Sequence, residues 1–251
     1  MFIISIVLIS NIIIGVLLGM TGISGFLLPL IYAGFLGMPV HDSLALSFLS
    51  FAVSGIIGAY SYWKSKNMDV KLALFLSIGS LPGAFLGVLI NVFISEFLAK
   101  LLLYIFVLLA GLSILFKKSQ DSSMIKKESG LLGNRYMLIS LGVVTAAVCS
   151  LTGAGGPILL VPLLASLGVN IRVAVGVGLL NSVIIAIPAI FGYFAHANMT
   201  SMPTLIAASL LGTTAGILTG ARFAAKVPLK HLKIIIAIIT ICSSGYMLIT
   251  L

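Results

Sequence analysis

The sequence has little charge, and negative charge is the scarcest. Only 8% of its 251 residues are charged, and five of them are acidic. These five fall between apolar runs or at their ends: Asp42, Asp69, Glu96, Asp121 and Glu128. With no carboxylate inside an apolar run, the sequence argues against a buried carboxylate proton relay or a carboxylate-rich cation site.

Histidine and cysteine are also rare, with three and two residues. His41, His196 and His231 fall in loops that the sequence does not relate to one another, and no phosphate-binding loop or nucleophile–base pair is present. We therefore predict no enzyme activity, no cofactor and no metal site. Cys149 and Cys242 lie inside apolar runs without CxxC spacing, which predicts buried, unpaired thiols.

Hydrophobic residues, in contrast, make up 61% of the chain, more than a soluble core of this size can hide. We predict an all-α integral membrane protein with eight to ten transmembrane or re-entrant helices. The apolar segments are roughly 2–19, 24–37, 43–63, 71–93, 97–116, 135–151, 155–168, 172–195, 202–221 and 232–251. The second and seventh are too short to cross a bilayer upright, which favours tilted, broken or re-entrant helices there.

The two halves of the chain resemble each other. An offset of 131 residues aligns Thr21-Gly22 with Thr152-Gly153 and Gly25 with Gly156, and an offset of 133 aligns two GxxxGxxxG runs. These runs are Gly79/Gly83/Gly87 and Gly212/Gly216/Gly220, which we assign to helix packing. Five segments per half is an odd number, so the second half is predicted to lie inverted. The predicted organisation is a first repeat at 1–116, a cytoplasmic linker at 117–134 and a second repeat at 135–251.

Positive charge supports this topology. The net charge is +9, but the basic residues occupy short loops between apolar runs, which favours membrane topology and argues against a nucleic-acid partner. With alternating segments, all fourteen Lys and Arg residues except Lys100 fall on one side. The positive-inside rule makes that side cytoplasmic and places both termini outside.

Two glycine-rich breaks are the most informative motifs. Each lies between two apolar segments, and a helix that starts after such a break directs free N–H groups and a positive dipole end into the gap. The two breaks could then form one anion site without charged side chains, although glycine-rich turns also allow close helix hairpins with no ligand. The candidate residues are Gly22, Ser24 and Gly25 in the first break and Gly153, Gly155 and Gly156 in the second.

Segments three and eight carry the polar residues best suited to line a path. Ser47, Ser50 and Ser54 share one helical face, and Asn181, with Ser182 beside it, aligns with Ser50 in the repeat. We predict Ser47, Ser50, Asn181 and Ser182 as substrate-binding residues. The alternative is that these small polar groups only join helices.

Several motifs together resemble the sulfite exporter TauE/SafE family over nearly the whole chain. They are Gly22-Ile23-Ser24-Gly25 with Leu28-Pro29, Gly79-Ser80-Leu81-Pro82-Gly83 with Gly87, and Gly153-Ala154-Gly155-Gly156 with Val161-Pro162. The resemblance implies a transporter of sulfur-containing anions, such as sulfite or organosulfonates, in a bacterial inner membrane.

The leading hypothesis is a secondary transporter, with export as the expected direction, that binds a small anion at the repeat interface and alternates access by rocking one half against the other. A channel-like anion or small-solute pore is the alternative, since the same dipole ends and hydroxyls would serve it. A non-transporting membrane scaffold or enzyme is a third hypothesis, against which stands the absence of catalytic constellations. The expected partners are the small anion and the lipid bilayer, and the apolar surface is compatible with a monomer or a homodimer.

Overall fold

A computed structural model describes residues 2–116, 134–198, 202–223 and 229–251, and these residues form helices and no strands. Ten helical segments follow the ten predicted apolar runs within the described ranges. They are α1 (Phe2–Thr21), α2 (Ser24–Phe35), α3 (Val40–Lys64), α4 (Val70–Phe93), α5 (Glu96–Phe116), α6 (Arg135–Thr152), α7 (Gly156–Ser166), α8 (Ile171–Phe194), α9 (Met202–Phe223) and α10 (Leu229–Ile249).

The helix lengths agree with a membrane protein. Seven helices, α1, α3 to α6, α8 and α9, are long and apolar enough to cross a bilayer, while α2 and α7 are shorter apolar helices. The predicted all-α membrane fold, with two short segments at the second and seventh places, is therefore confirmed. The described acidic residues lie at helix ends: Asp69 caps α4 by accepting the Leu72 N–H at 3.0 Å, and Glu96 pairs with Lys100 at 3.1 Å.

The fourth helix of each half packs against the first helix of the other half. The glycines of α4 touch the backbone of α6 at Ile139, Val143 and Ala147, and those of α9 touch α1 at Leu8, Ile12 and Val16. The two sets of contacted residues are related by the same 131-residue offset. The assignment of both glycine runs to packing is confirmed, and the absence of side chains lets the backbones meet.

The helices α3 and α8 pack extensively against each other, with α7 on α8 and α2 on α3. Gly55 of α3 faces the carbonyl of Leu179 in α8 so closely that a methyl group there would lie 2.7 Å from it. The α3–α8 contact joins the two halves, and the α2–α3 and α7–α8 contacts are related by the offset. The inverted orientation of the halves in the membrane stays a prediction.

The prediction on the cysteines is partly wrong, and the prediction of a linker falls mostly on residues that the structure does not describe. Cys149 is buried and free as expected, but Cys242 is exposed on α10 because it lies on a face of that helix that no other described element covers. The predicted linker lies outside the described residues except for Asn134, which caps α6 by accepting the Tyr136 N–H. The basic residues Lys117, Lys118, Lys126, Lys127 and Lys226 also lie outside them.

Candidate substrate-binding site

Both glycine-rich breaks interrupt the helices where the sequence predicts. The helix α1 ends at Thr21, with Gly22 at φ +73°, and α6 ends at Thr152, with Gly153 at φ +71°. Gly155 follows at φ +73° and ψ 151°, a conformation that only glycine adopts easily. After these glycines, α2 and α7 start at buried residues, Ser24 and Gly156.

The two segments after the breaks differ, which the sequence analysis did not anticipate. The segment α7 is a regular eleven-residue helix with Pro157 in its first turn. The segment α2 starts as a 3₁₀ turn, Ser24–Phe26, and ends as a π-helix, Leu30–Phe35. The second break is therefore followed by a regular α-helix start and the first by a 3₁₀ start, so the two breaks present their free N–H groups in different geometries.

The first glycine of each break rests on the third helix of the opposite half. Gly22 contacts Val175 of α8, and Gly153 contacts Leu44 of α3. Leu44 and Val175 are again 131 residues apart, as are the two glycines. Because a side chain at either glycine would collide with its partner, the breaks are held against the centre of the bundle by close packing.

The breaks meet at a small cavity of about 10 Å³, room for about one water-sized sphere. Gly25 and Gly155 line it, together with Phe51 and Ser54 of α3 and Ser182 of α8. Phe51 and Ser182 each lie near the middle of a helix that spans the bundle. The cavity therefore lies at mid-depth, where transporters built from repeats bind their substrates.

The ring of Phe51 lies between the two breaks. A methyl group on Gly25 would lie 2.9 Å from one edge of the ring, at Cε1, and one on Gly155 would lie 3.4 Å from the other edge, at Cε2. The sequence analysis missed Phe51. A usable signal was its repeat partner, Ser182, because an aromatic residue in one half aligns with a predicted polar lining residue in the other.

The predicted serines of α3 divide between two environments. The Ser47 hydroxyl donates to the Ser43 carbonyl at 2.7 Å, within its own helix. The Ser50 hydroxyl donates to Asn11 Oδ1 at 3.0 Å and lies 2.7 Å from the Ser209 hydroxyl, so it joins α3 to α1 and α9. Neither lines the cavity. For Ser50 the geometry favours the alternative of joining helices, and Ser54 is the cavity-lining serine of this face.

Asn11 organises a buried polar cluster that the sequence analysis did not identify. Its Nδ2 donates to the Val7 carbonyl and to the Tyr32 hydroxyl, and its Oδ1 accepts from Ser50, Ser209 and Thr213. The available signal was that Asn11 is the only amide within the first apolar run. The cluster ties α1, α2, α3 and α9 together.

Asn181 and Ser24 stand out because they are buried and unbonded. Both amide atoms of Asn181 and the hydroxyl of Ser24 lack a hydrogen-bond partner among the described residues, and both side chains are at most 1% exposed. A buried polar group without a partner is costly and calls for a ligand or water. Asn181 lies next to Ser182 and Ser24 next to Gly25, so each flanks a cavity-lining residue without lining the cavity itself.

The remaining break residues lie close to the cavity. A methyl group on Gly156 would lie 3.0 Å from the Ser182 hydroxyl, so α7 begins directly against α8. Of the ten predicted site residues, the structure therefore brings Gly25, Gly155 and Ser182 to the cavity and places Gly156, Ser24 and Asn181 around it. Gly22, Gly153, Ser47 and Ser50 serve packing and hydrogen bonding between or within helices.

One histidine prediction is wrong. His41 and His196 do not lie in unrelated regions, since their ring centroids are 5.8 Å apart. The helix α3 begins beside the end of α8, and Asp42 Oδ1 accepts the Asn198 N–H at 3.0 Å across the same junction. The side chain of His231 lies outside the described residues.

Comparisons with known proteins agree with this architecture. A family model described as "Sulfite exporter TauE/SafE" matches residues 7–247. Two similar proteins come from Bacillus subtilis (strain 168). "Probable membrane transporter protein YdhB" is 27% identical over 87% of this chain and 89% of its own length, and "Probable membrane transporter protein YjnA" is 26% identical over 94% and 96%. No solved structure gives a significant match.

Proposed function

This chain belongs to the sulfite exporter TauE/SafE family of membrane transporters, and we propose that it is a secondary transporter that exports a small anion. The proposed substrate is sulfite or another sulfur-containing anion, such as an organosulfonate. The proposed location is a bacterial inner membrane. The observation that carries the proposal is the cavity that Gly25 of one half and Gly155 of the other line together at mid-depth.

The chemistry of the cavity suits an anion that is held by neutral donors. The first turn of α7 has N–H groups at Gly156 and Ile158 without helical partners, and its dipole is positive at that end. The hydroxyls of Ser54 and Ser182 add donors once they turn from their own helix carbonyls, to which they now donate at 3.2 and 3.0 Å. None of the described lining residues is charged. Such a site would bind oxyanions through directed N–H and O–H groups.

The size of the cavity supports a carrier mechanism. A volume of about 10 Å³ is too small for any sulfur oxyanion, so the described conformation is closed. Loading would require α3 and α8, or the two breaks, to separate. Rocking of one half against the other would achieve this separation and expose the cavity to alternate sides.

Binding can be tested by thermal stabilisation of the detergent-solubilised protein, because a ligand that binds only the folded state raises its apparent stability. We expect sulfite or a sulfonate to raise the unfolding temperature, and chloride and carboxylates at equal ionic strength to leave it unchanged. Ser182→Ala is expected to weaken the shift. The matched control is Ser140→Ala, because Ser140 is exposed and its hydroxyl also donates to a carbonyl of its own helix. Equal shifts in both variants would contradict the assignment of the site.

Transport itself separates a carrier from a pore. In proteoliposomes a carrier gives saturable uptake and counterflow of labelled sulfite, whereas a channel gives flux that rises linearly with concentration. We expect counterflow. Flux that does not saturate would favour the pore hypothesis over the carrier hypothesis. The absence of flux for every anion tested would contradict a transport function for this cavity.

A further inference from the structure

Four rings on α3 and α8 form a continuous column that starts at the cavity. Phe51 and Phe48 meet edge to face at a centroid distance of 5.4 Å, and Phe48 stacks on Tyr193 at 5.8 Å. Tyr193 then stacks on His41 at 6.1 Å. We call His41, Phe48, Phe51 and Tyr193 the aromatic column.

The column leads from the buried centre to one end of the bundle. Phe51, Phe48 and Tyr193 are at most 3% exposed, whereas His41 is half-buried and its neighbour His196 is exposed. His41 lies in the first turn of α3, at the end that the charge pattern places outside the membrane. The rings therefore lie between the cavity and the predicted outer face.

The positions that the repeat relates to the first-half members of the aromatic column carry no aromatic ring. The 131-residue offset relates His41, Phe48 and Phe51 to Arg172, Leu179 and Ser182. Leu179 and Ser182 line the cavity, whereas Phe48 does not. The route toward the predicted cytoplasmic end thus has an aliphatic and a hydroxyl side chain where the outer route has two phenylalanine rings.

We propose that the aromatic column is the outer gate of the transport path and that Phe51 is its innermost gating residue. The inference depends on the proposed function, because it takes the cavity as the substrate site. With its edges against both breaks, the Phe51 ring closes the cavity on the side of the predicted outer face. The ring must change rotamer before an anion leaves to the outside. Phe48 holds the ring in the closed position by its edge-to-face contact, and Tyr193 supports Phe48 by stacking on it.

The gate can be tested by cysteine labelling, without any substrate. The background carries Cys149→Ser, which keeps a donor toward the Gly155 carbonyl, and Cys242→Ser, which removes the exposed thiol. Leu179→Cys, at a cavity-lining position without a proposed donor, then reports access to the cavity from an impermeant thiol reagent added to right-side-out vesicles. We expect Phe51→Ala to speed labelling from the outside by about tenfold or more, because removal of a buried ring destabilises the closed state.

The control is Phe85→Ala, since Phe85 is 56% exposed on α4 and lies away from the column. Its labelling rate is expected to match that of the parent. Phe51→Leu, which keeps most of the side-chain volume, gives an intermediate rate and decides the question if Phe51→Ala does not fold. Unchanged outside labelling in Phe51→Leu and Phe48→Ala, or faster labelling only from the cytoplasmic side, would overturn the gate.

The same experiment separates this inference from the proposed function. An organosulfonate that occupies the cavity would protect Leu179→Cys from the reagent in the Phe51→Ala background, and it is used in place of sulfite because sulfite itself consumes thiol reagents. Faster labelling without such protection supports the gate and contradicts the assignment of the anion site. Protection without faster labelling supports the anion site and contradicts the gate.

Discussion

The phenol of Tyr193 donates a 2.6 Å hydrogen bond to the backbone carbonyl of Ser150, which ties the outer half of α8 to the last turn of α6. Both groups are buried. We predict that Tyr193→Phe, which keeps the ring but leaves this carbonyl unsatisfied, lowers the free energy of unfolding by about 1–3 kcal/mol. Thermal unfolding in detergent measures the loss. Tyr136→Phe, at a phenol that is 76% exposed, is the control and leaves the unfolding temperature unchanged.

The Asn11 cluster makes a stronger prediction. Asn11→Ala removes the acceptor shared by Ser50, Ser209 and Thr213 and the donor to Tyr32. Since each buried group left without a partner costs about 1–3 kcal/mol, we expect a larger loss than for Tyr193→Phe. Ile13→Ala, two residues away on an exposed face, serves as the control in the same unfolding assay. If Asn11→Ala unfolds at the parental temperature, the cluster contributes no net stability.

Alanine substitutions in the two glycine runs are predicted to lower stability to a similar extent. A methyl group on Gly83 would collide with the backbone of Val143, and one on Gly216 with the carbonyl of Ile12. Gly83→Ala and Gly216→Ala should therefore destabilise the protein to a similar extent, because α4 and α9 make equivalent contacts. Gly245→Ala has open space and is expected to be neutral or to stabilise by up to about 1 kcal/mol, the helix propensity difference. Stable, parental-like Gly83→Ala protein would contradict close backbone contact.

Gly25 and Gly155 both face Phe51 but are predicted to respond differently to alanine. At Gly25 the obstacle is the ring, 2.9 Å from the new methyl group, so the smaller side chain of Phe51→Leu should restore stability. At Gly155 the methyl group has ordinary contact distance, but the positive φ costs about 1–3 kcal/mol. Phe51→Leu should therefore not rescue Gly155→Ala. A double-mutant cycle by thermal unfolding measures both couplings, and equal rescue at the two glycines would contradict this account.

The fold was largely predictable because lipid imposes simple rules on length and composition. Apolar runs, charges in loops and the internal offset predict the helices closely, as α4 and α9 with their glycine runs show. The site was less predictable, because hydrogen-bond direction depends on rotamers and neighbours. Ser50 and Ser54 share a helical face, yet Ser50 bonds to Asn11 while Ser54 lines the cavity.

Some contacts between distant residues escaped prediction. The sequence separates His41 from His196 by most of the chain, and nothing in either segment specifies that α3 begins where α8 ends. The irregular start of α2 was hidden for a related reason. Its residues share the apolar character of α7, so composition does not distinguish the 3₁₀ and π turns of α2 from a regular helix.

The exchange of first and fourth helices also has a consequence for biosynthesis. The helix α1 leaves the ribosome before the other described helices, yet its main partner, α9, follows only after α2 to α8. Gly15 and Gly19 of α1 contact α9 in the finished protein. Until α9 has been made, these two glycines are exposed to lipid. Assembly can therefore finish only after α9 has been made, and a product truncated before α9 would display an unpaired helix surface that quality control can detect.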